Sequence, residues 1–191
     1  MLTRAEILDT LATSQAQVIA FFHGLSSQDL ERPATANEVP GAAPWRVKDH
    51  LGHLAQSERS VQHLLRRAHA GDSRDALLRL QYPEGMLLPG TLGDLDALTS
   101  EEKEQLGLAI AKLNQTDLLA HYDDTLETLI ADYLAVRQDT LDLLHQFTDE
   151  QLTAPVPTVV CDLAAGDLFA GRAGHAVEHM TAIEDGLRWG R

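Results

Sequence analysis

Four segments of this chain carry apolar side chains at helical spacing, and this periodicity constrains the fold more than any other feature. The segments cover residues 3–23, 45–70, 117–146 and 163–189, and Thr3 is positioned to cap the first. Four long amphipathic helices that each bury one face predict an all-α protein, a four-helix bundle. The residues of the third segment that are expected to face inward are Leu126, Leu129, Ile130, Tyr133, Leu134, Leu141 and Leu144.

The length of the chain favours a single domain over residues 1–191, because 191 residues of which 44% are hydrophobic can form one sizeable core. Residues 71–116 are an insertion between the second and third helices. It contains YPEGMLLPG, which is turn-rich but apolar, and TSEEKEQLGLAIAKL, which predicts a short helix near 100–113. We expect this insertion to be a cap or a dimer interface. We also expect the chain to form a homodimer, either through its helix faces or through this insertion. VPTVV, residues 156–160, is the one strand candidate.

The charge balance narrows the choice of partners. The formal net charge is -14, and such a surface repels phosphate backbones and anionic lipid, so we expect no nucleic-acid and no membrane partner. No apolar run approaches the roughly 18 residues of a bilayer span, and the first residues resemble no secretory signal, so we expect a cytoplasmic protein. Cys161 is the only cysteine, which excludes an internal disulfide and a Cys-rich zinc site.

The histidines are the residues with the clearest chemical potential. GHAVEH, residues 174–179, places His175 and His179 four residues apart on one helix face. With nine histidines in the chain, roughly 0.4 such pairs are expected by chance, so the pair alone proves little. The nine are His23, His50, His53, His63, His69, His121, His145, His175 and His179.

The angular positions of these histidines add information. His179 lies roughly 80–100° from the centre of its apolar stripe, and His175 lies somewhat further away on the same side. On the second helix, His53 lies about 120° from its stripe and His50 roughly 60°. Such boundary positions allow imidazoles to point into the mouth of a bundle. Three imidazoles from two helices, with water, can hold a divalent ion, and the wheel slightly favours His50 as the third ligand.

HAVEH also matches the reversed zinc-protease pattern H-x-x-E-H, in which the glutamate is the general base. That motif requires a further carboxylate ligand well downstream, and Glu184 and Asp185 follow too closely. We therefore do not expect a metalloprotease. Glu178 is interpreted as a solvated or helix-contact residue.

Two stretches together resemble a known family. WRVKDHLGHLAQSE, residues 45–58, and GHAVEHMTAIEDGLR, residues 174–188, are similar to the motifs of the DinB/YfiT-like metalloenzyme superfamily, which is related to the N-terminal domains of mycothiol-dependent maleylpyruvate isomerases. The resemblance implies an antiparallel four-helix bundle that holds zinc or nickel through His53, His175 and His179. His50 stays the alternative ligand on the second helix. The insertion 71–116 is long for this family.

The same resemblance implies a function. It predicts a divalent-metal-dependent enzyme acting on a small-molecule substrate, an S-transferase, isomerase or hydrolase with a low-molecular-weight thiol such as mycothiol or bacillithiol as cosubstrate. A bound ion lowers the pKa of a thiol or of water, which makes the chemistry reasonable. The alternative is a non-catalytic metal-binding protein, either a small-ligand-binding bundle or a stress-response dimer. The sequence identifies neither the substrate nor the catalytic residues.

Three further kinds of residue have two interpretations each. Glu58 falls in the apolar sector of the second helix, where its carboxylate orients a ligand histidine or pairs with a cation of another helix. Cys161 is expected to be a small core residue rather than a ligand or nucleophile. The arginines of the second helix are expected to lie on a solvated face rather than to bind a substrate carboxylate; they are Arg59, Arg66 and Arg67.

Overall fold

The computed structural model describes residues 2–37, 39–82 and 95–189, and this part of the chain is mostly helical, as predicted. Its helices are α1 (Arg4–His23), α2 (Ser27–Leu30), α3 (Asp49–His69), α4 (Arg74–Arg79), α5 (Ser100–Ala120), α6 (Leu126–Gln146), α7 (Asp149–Thr153) and α8 (Ala165–Trp189). Its strands are β1 (Pro33–Thr35), β2 (Trp45–Arg46), β3 (Pro155–Pro157) and β4 (Asp162–Ala164). They form two antiparallel two-stranded sheets, β1–β2 and β3–β4.

The starts of α1 and α3 have different causes. The Thr3 side chain accepts from the Glu6 amide and the Glu6 carboxylate accepts from the Thr3 amide, so a capping box starts α1 where the sequence predicts it. α3 starts at Asp49, four residues later than expected, because Trp45–Arg46 pairs with β1 instead. The predicted strand 156–160 is shifted as well, since the observed strand is Pro155–Pro157.

The predicted boundary between the insertion and the third helix is wrong. A capping box of Thr99 and Glu102 starts α5, which continues to Ala120 instead of ending near 113. The next helix begins at Leu126 behind a new N-cap, Thr125, so it does not reach back to 117. Most of YPEGMLLPG falls in 83–94, outside the described residues.

The core lies between four long helices. α3 packs on α6 and α8, and α1 packs on the same two helices, so the four enclose two apolar clusters. One cluster is centred on Leu11 and Phe169 and the other on Phe22 and Tyr133. Leu134 is 37% exposed, so its predicted inward orientation is wrong: it is one residue, about 100°, from buried Tyr133.

A glycine lets the β1–β2 hairpin lie on the last helix. β1 packs against α8, and a Cβ at Gly186 would lie only 2.0 Å from the Ala34 carbonyl oxygen. The absence of a side chain at Gly186 therefore brings Thr35, next to Ala34, close to the histidines of α8. No described helix is both long and apolar enough for a membrane span.

Candidate metal centre

Two helices supply the histidines that the sequence singles out. His50 and His53 lie near the start of α3, and His175 and His179 lie one turn apart in α8. Because α3 and α8 pack together, the imidazoles meet between them. The ring centroid of His53 is 5.3 Å from that of His175 and 4.8 Å from that of His179. The structure thus brings all four histidines into one cluster.

Three of the four converge on one point. One ligand atom from each of His53, His175 and His179 lies within 4.8 Å of the other two. The Nε2 atoms of His175 and His179 are 3.0 Å apart, inside the roughly 4 Å that separates at most two nitrogens bound to one ion at about 2.0–2.1 Å. Imidazole nitrogens suit zinc and nickel, so this donor set fits the implied ion.

His50 occupies a different position in the cluster. Its Nδ1 is 2.7 Å from Nδ1 of His179, and its Nε2 is 3.2 Å from the Thr35 hydroxyl. Both ring nitrogens of His50 therefore have partners, and His50 lies behind His179. Among the described residues, the convergent group contains His53 and not His50. The family resemblance selects the same residue, whereas the helical wheel slightly favours the other.

The histidines line a cavity of about 400 Å³. Trp45 forms one wall, with its ring centroid 5.4 Å from that of His50 and 5.1 Å from that of His53. Asn114 of α5 lies on another wall, so the insertion contributes to the cavity. Glu178 is exposed, as expected of a solvated residue, but it also lines this cavity.

Burial keeps these imidazoles neutral. Burial, and next the neighbouring His179, lower the pKa of His50 to about 3 and that of His53 to about 4. The same two causes lower the pKa of His175 to about 3, with the Arg172 guanidinium acting in the same direction. Burial also lowers the pKa of His179, against the opposing charge of Glu178. At neutral pH all four rings are uncharged, which is the form that binds metal ions.

An ion-pair network holds Trp45 beside the histidines. The Arg46 guanidinium lies 2.8 Å from the Asp49 carboxylate and 2.9 Å from that of Glu31. The Asp49 carboxylate also accepts from the Arg46 amide at 2.7 Å, which ties the hairpin to the start of α3. This network is not among the features predicted from the sequence, although a basic residue three positions before an aspartate at a helix start is a recognisable signal.

Glu58 is committed to a cation rather than to a histidine. Its carboxylate lies 3.0 Å from the Arg137 guanidinium of α6 and accepts from the Thr140 hydroxyl at 2.5 Å. Of its two interpretations, pairing with another helix's cation is the one that the geometry supports. The reason is location, because Glu58 faces α6 whereas His53, on the same helix, faces α8.

The remaining candidates, Cys161 and Arg59, lie outside the cluster, and one further arginine lies beside it. Cys161 is exposed, so its interpretation as a small core residue is wrong: it lies in the turn between β3 and β4, where its carbonyl accepts from Thr158. Arg59 pairs with Asp132 on α6. Arg172, which was not singled out from the sequence, is partly buried one turn from His175.

Comparisons with known proteins give a fold but no family. No family model and no curated protein matches the chain. An uncharacterised protein from Escherichia coli UTI89 matches with a TM-score of 0.64 and 14% identity, over 97% of this chain and 93% of that one. The colibactin self-resistance protein ClbS, solved in complex with a dsDNA, matches with a TM-score of 0.65 and 12% identity, over 97% and 95% of the two chains.

This second match corrects one expectation. We expected from the net charge that the chain has no nucleic-acid partner, and that exclusion is wrong, since a protein with this fold forms a complex with dsDNA. The physical reason is that net charge describes the average surface, whereas binding depends on the local potential at a contact. The homodimer and the cytoplasmic location stay predictions.

Proposed function

We propose that this chain is a divalent-metal-dependent enzyme of the DinB/YfiT-like type, with an antiparallel four-helix bundle of α1, α3, α6 and α8 as its scaffold. The contacts among these four helices support the bundle. The direction of α3 relative to α8 is supported by the pairing of His50 with His179 and of His53 with His175, because residue numbers rise on one helix as they fall on the other.

One observation carries the functional part of the proposal, which is that His53, His175 and His179 converge at the wall of an open cavity. These residues would hold zinc or nickel. Among the described residues no fourth histidine, cysteine or carboxylate joins the group, which favours a catalytic centre with an open position over a structural clip. The non-catalytic ligand-binding or stress-response protein is the alternative that a fourth ligand would favour.

The bound ion would supply a lowered pKa for a thiol or for water, and hence a nucleophile at neutral pH. The chain's own residues set the ligand geometry. For Nε2 of His179 to offer a lone pair, its Nδ1 must carry the proton and donate to Nδ1 of His50. Nε2 of His50 then donates to the Thr35 hydroxyl. This chain of hydrogen bonds fixes the tautomer and ring orientation of a ligand.

The cavity supports a small-molecule substrate. Its volume of about 400 Å³ is in the usual range for such ligands, and the Trp45 ring offers an apolar surface beside the histidines. The reaction class is an S-transfer, isomerisation or hydrolysis with a low-molecular-weight thiol as cosubstrate. Glu178 lies at the same cavity and is a carboxylate that could accept a proton there.

Elemental analysis of the purified protein, followed by a thiol-conjugation screen on the metal-loaded form, tests this function. We expect one divalent ion per chain, bound by the parent and lost from His53→Ala. We also expect thiol-dependent turnover of a small electrophile by the loaded form alone. A protein that binds no zinc or nickel at micromolar concentration would refute the metal centre, and metal without turnover would favour the non-catalytic alternative.

Nucleic-acid binding is the second candidate, and the dsDNA complex of ClbS is the observation that favours it. Fluorescence anisotropy with a labelled DNA duplex tests it at low and at physiological salt, because phosphate contacts weaken steeply as salt rises. We expect salt-dependent saturable binding if the candidate is correct. Unchanged anisotropy at low salt would exclude it.

A further inference from the structure

The seam between α3 and α8 continues beyond the histidines to a partly buried arginine, Arg172. Along this seam His50 meets His179, His53 meets His175, and Ser57 meets Arg172, whose Nη1 donates to the serine hydroxyl at 3.0 Å. Arg172 precedes His175 by three residues, which is about 4.5 Å along the axis of α8. Its guanidinium is therefore the next polar group beside the histidine centre.

The positive charge of Arg172 is compensated only at a distance. Within the described part of the chain no carboxylate lies within ion-pair distance of it, and its Nε is buried without a hydrogen-bond partner. Glu58 and Glu178 act on it only at longer range. A buried cation without a partner is costly. Arg137 illustrates the usual solution, because its guanidinium lies 3.0 Å from the carboxylate of Glu58.

Arg172 is open to a ligand from one side. It lines a second cavity of about 670 Å³, together with Ser57. His53 and Asn114 line this cavity and also the histidine cavity, so the two cavities are adjacent at these residues. Arg59 lines the second cavity too, but its charge is already balanced by Asp132. Asp117, on α5, is the carboxylate among the residues that line this cavity, and it is not one of the charges acting on Arg172.

We infer that Arg172 binds a carboxylate of the substrate while the reacting atom lies at the histidine centre. This inference rests on the proposed function and adds the substrate class, a small carboxylic acid. The rise of about 4.5 Å between the two positions along α8 sets the scale of the acid, whose carboxylate lies about two or three carbon atoms from the reacting atom. A guanidinium suits this partner because its planar fork matches the two oxygens of a carboxylate. An acid therefore binds in preference to an otherwise equal alcohol.

Calorimetry of the zinc-loaded protein with 3-mercaptopropionate and with 3-mercapto-1-propanol tests this inference. The two thiols differ in charge at the end remote from sulfur. We expect the wild type to bind the acid about tenfold or more tightly than the alcohol, since a charge-assisted contact is involved. Arg172→Gln should lose this preference and keep its affinity for the alcohol. Arg172→Lys should keep part of it.

Arg59→Gln is the matched control, because it removes an arginine of the same cavity that already has a carboxylate partner. It should keep the preference for the acid. Equal binding of the two thiols by the wild type overturns the inference, and so does a preference that survives in Arg172→Gln, since the acid would then be binding elsewhere. If Arg172→Gln does not fold, the inference is tested by the ratio of the affinities for the acid and the alcohol in the wild type and in Arg172→Lys.

Zinc content, measured separately, distinguishes the two proposals. A wild type that binds zinc but not the acid preferentially contradicts the role of Arg172 alone. A wild type without zinc contradicts the metal centre, and the two thiols are then compared on the metal-free protein. A preference for the acid there, lost in Arg172→Gln, supports the carboxylate site by itself, and no preference overturns it.

Discussion

Helix α3 presents two polar clusters to its neighbours. They differ in how their buried polar groups are accommodated. Toward α6, Glu58 meets Arg137, and Gln62 donates to Thr140 at 2.8 Å. Toward α8, His50 and His53 meet imidazoles and no carboxylate of the described residues. The first cluster balances its charges within the chain. The second is kept neutral by burial and has an open cavity beside it.

This difference indicates that the cluster facing α6 belongs to the scaffold and that the cluster facing α8 is a binding site. A buried ion pair whose two charges balance each other has no net charge left for a ligand, so its role is to join α3 to α6. Imidazoles that converge without forming an ion pair with a described residue keep lone pairs available, so their role is to bind a ligand. Substitutions in the first cluster should change stability, and those in the second should change ligand binding.

The largest effect is expected from Arg137→Met. The substitution leaves the Glu58 carboxylate buried without its cation, which costs about 3–5 kcal/mol of the free energy of unfolding. Urea denaturation followed by circular dichroism measures this loss. Arg59→Met is the control, because its ion pair with Asp132 is 38% exposed on the arginine side and should contribute less than about 1 kcal/mol. Equal losses in the two variants would contradict the distinction.

His179→Ala should remove most of the bound metal and leave the helices folded. It deletes one of three ligands, so we expect a loss of metal affinity of about a hundredfold or more, measured by competition with a chromophoric chelator. The free energy of unfolding of the metal-free variant should change little compared with Arg137→Met. His145→Ala is the control, since this exposed histidine on α6 lies outside the cluster. Retention of metal by His179→Ala would be incompatible with the site.

His50→Ala sharpens the assignment on α3. Because His50 contacts His179 and Thr35, it should orient a ligand rather than bind the ion, so metal stays bound at saturation with an affinity about 10–100-fold lower. His53→Ala should lose the ion. If His53→Ala binds metal as well as the parent and His50→Ala does not, the ligand on α3 is His50 and not His53. If neither change matters, the three-histidine site is wrong altogether.

The smallest expected effect is the change in the free energy of unfolding of the metal-free protein, counted for each histidine and each pH unit. The pKa values of His50 and His53 are lowered by burial to about 3 and about 4, below the unfolded value of about 6.5. The unfolded state therefore binds more protons below that value, and stability is lost as pH falls from about 6.5 toward the folded pKa values. Each such histidine contributes a slope of up to about 1.4 kcal/mol per pH unit.

Urea denaturation at pH 7.5, 6.0 and 5.0 in the presence of a chelator measures this slope. The double variant in which His50 and His53 are replaced by alanine should show a shallower dependence on pH than the wild type. An identical dependence in the two proteins would mean that these imidazoles are not held neutral by the fold.

The long helices were predictable from local information. The periodicity of apolar residues and the caps at Thr3 and Thr99 act within a few neighbouring residues, so a sequence alone specifies them. The division between α5 and α6 was missed although local information marks it. The break, HYDDT at residues 121–125, is polar and ends in the N-cap Thr125. The start of α3 was displaced because Trp45 pairs with a distant strand.

The sequence by itself determined a mostly helical protein and, through GHAVEH, which two imidazoles of the last helix share a face, because both depend on the 3.6-residue period. Only the tertiary structure decided that His53 joins them while His50 lies behind His179, and that Glu58 pairs with Arg137. It also decided that Arg172 forms no ion pair with a carboxylate of the described residues. These outcomes depend on which helix faces which, and packing of distant residues sets that orientation, whereas the spacing within one helix does not.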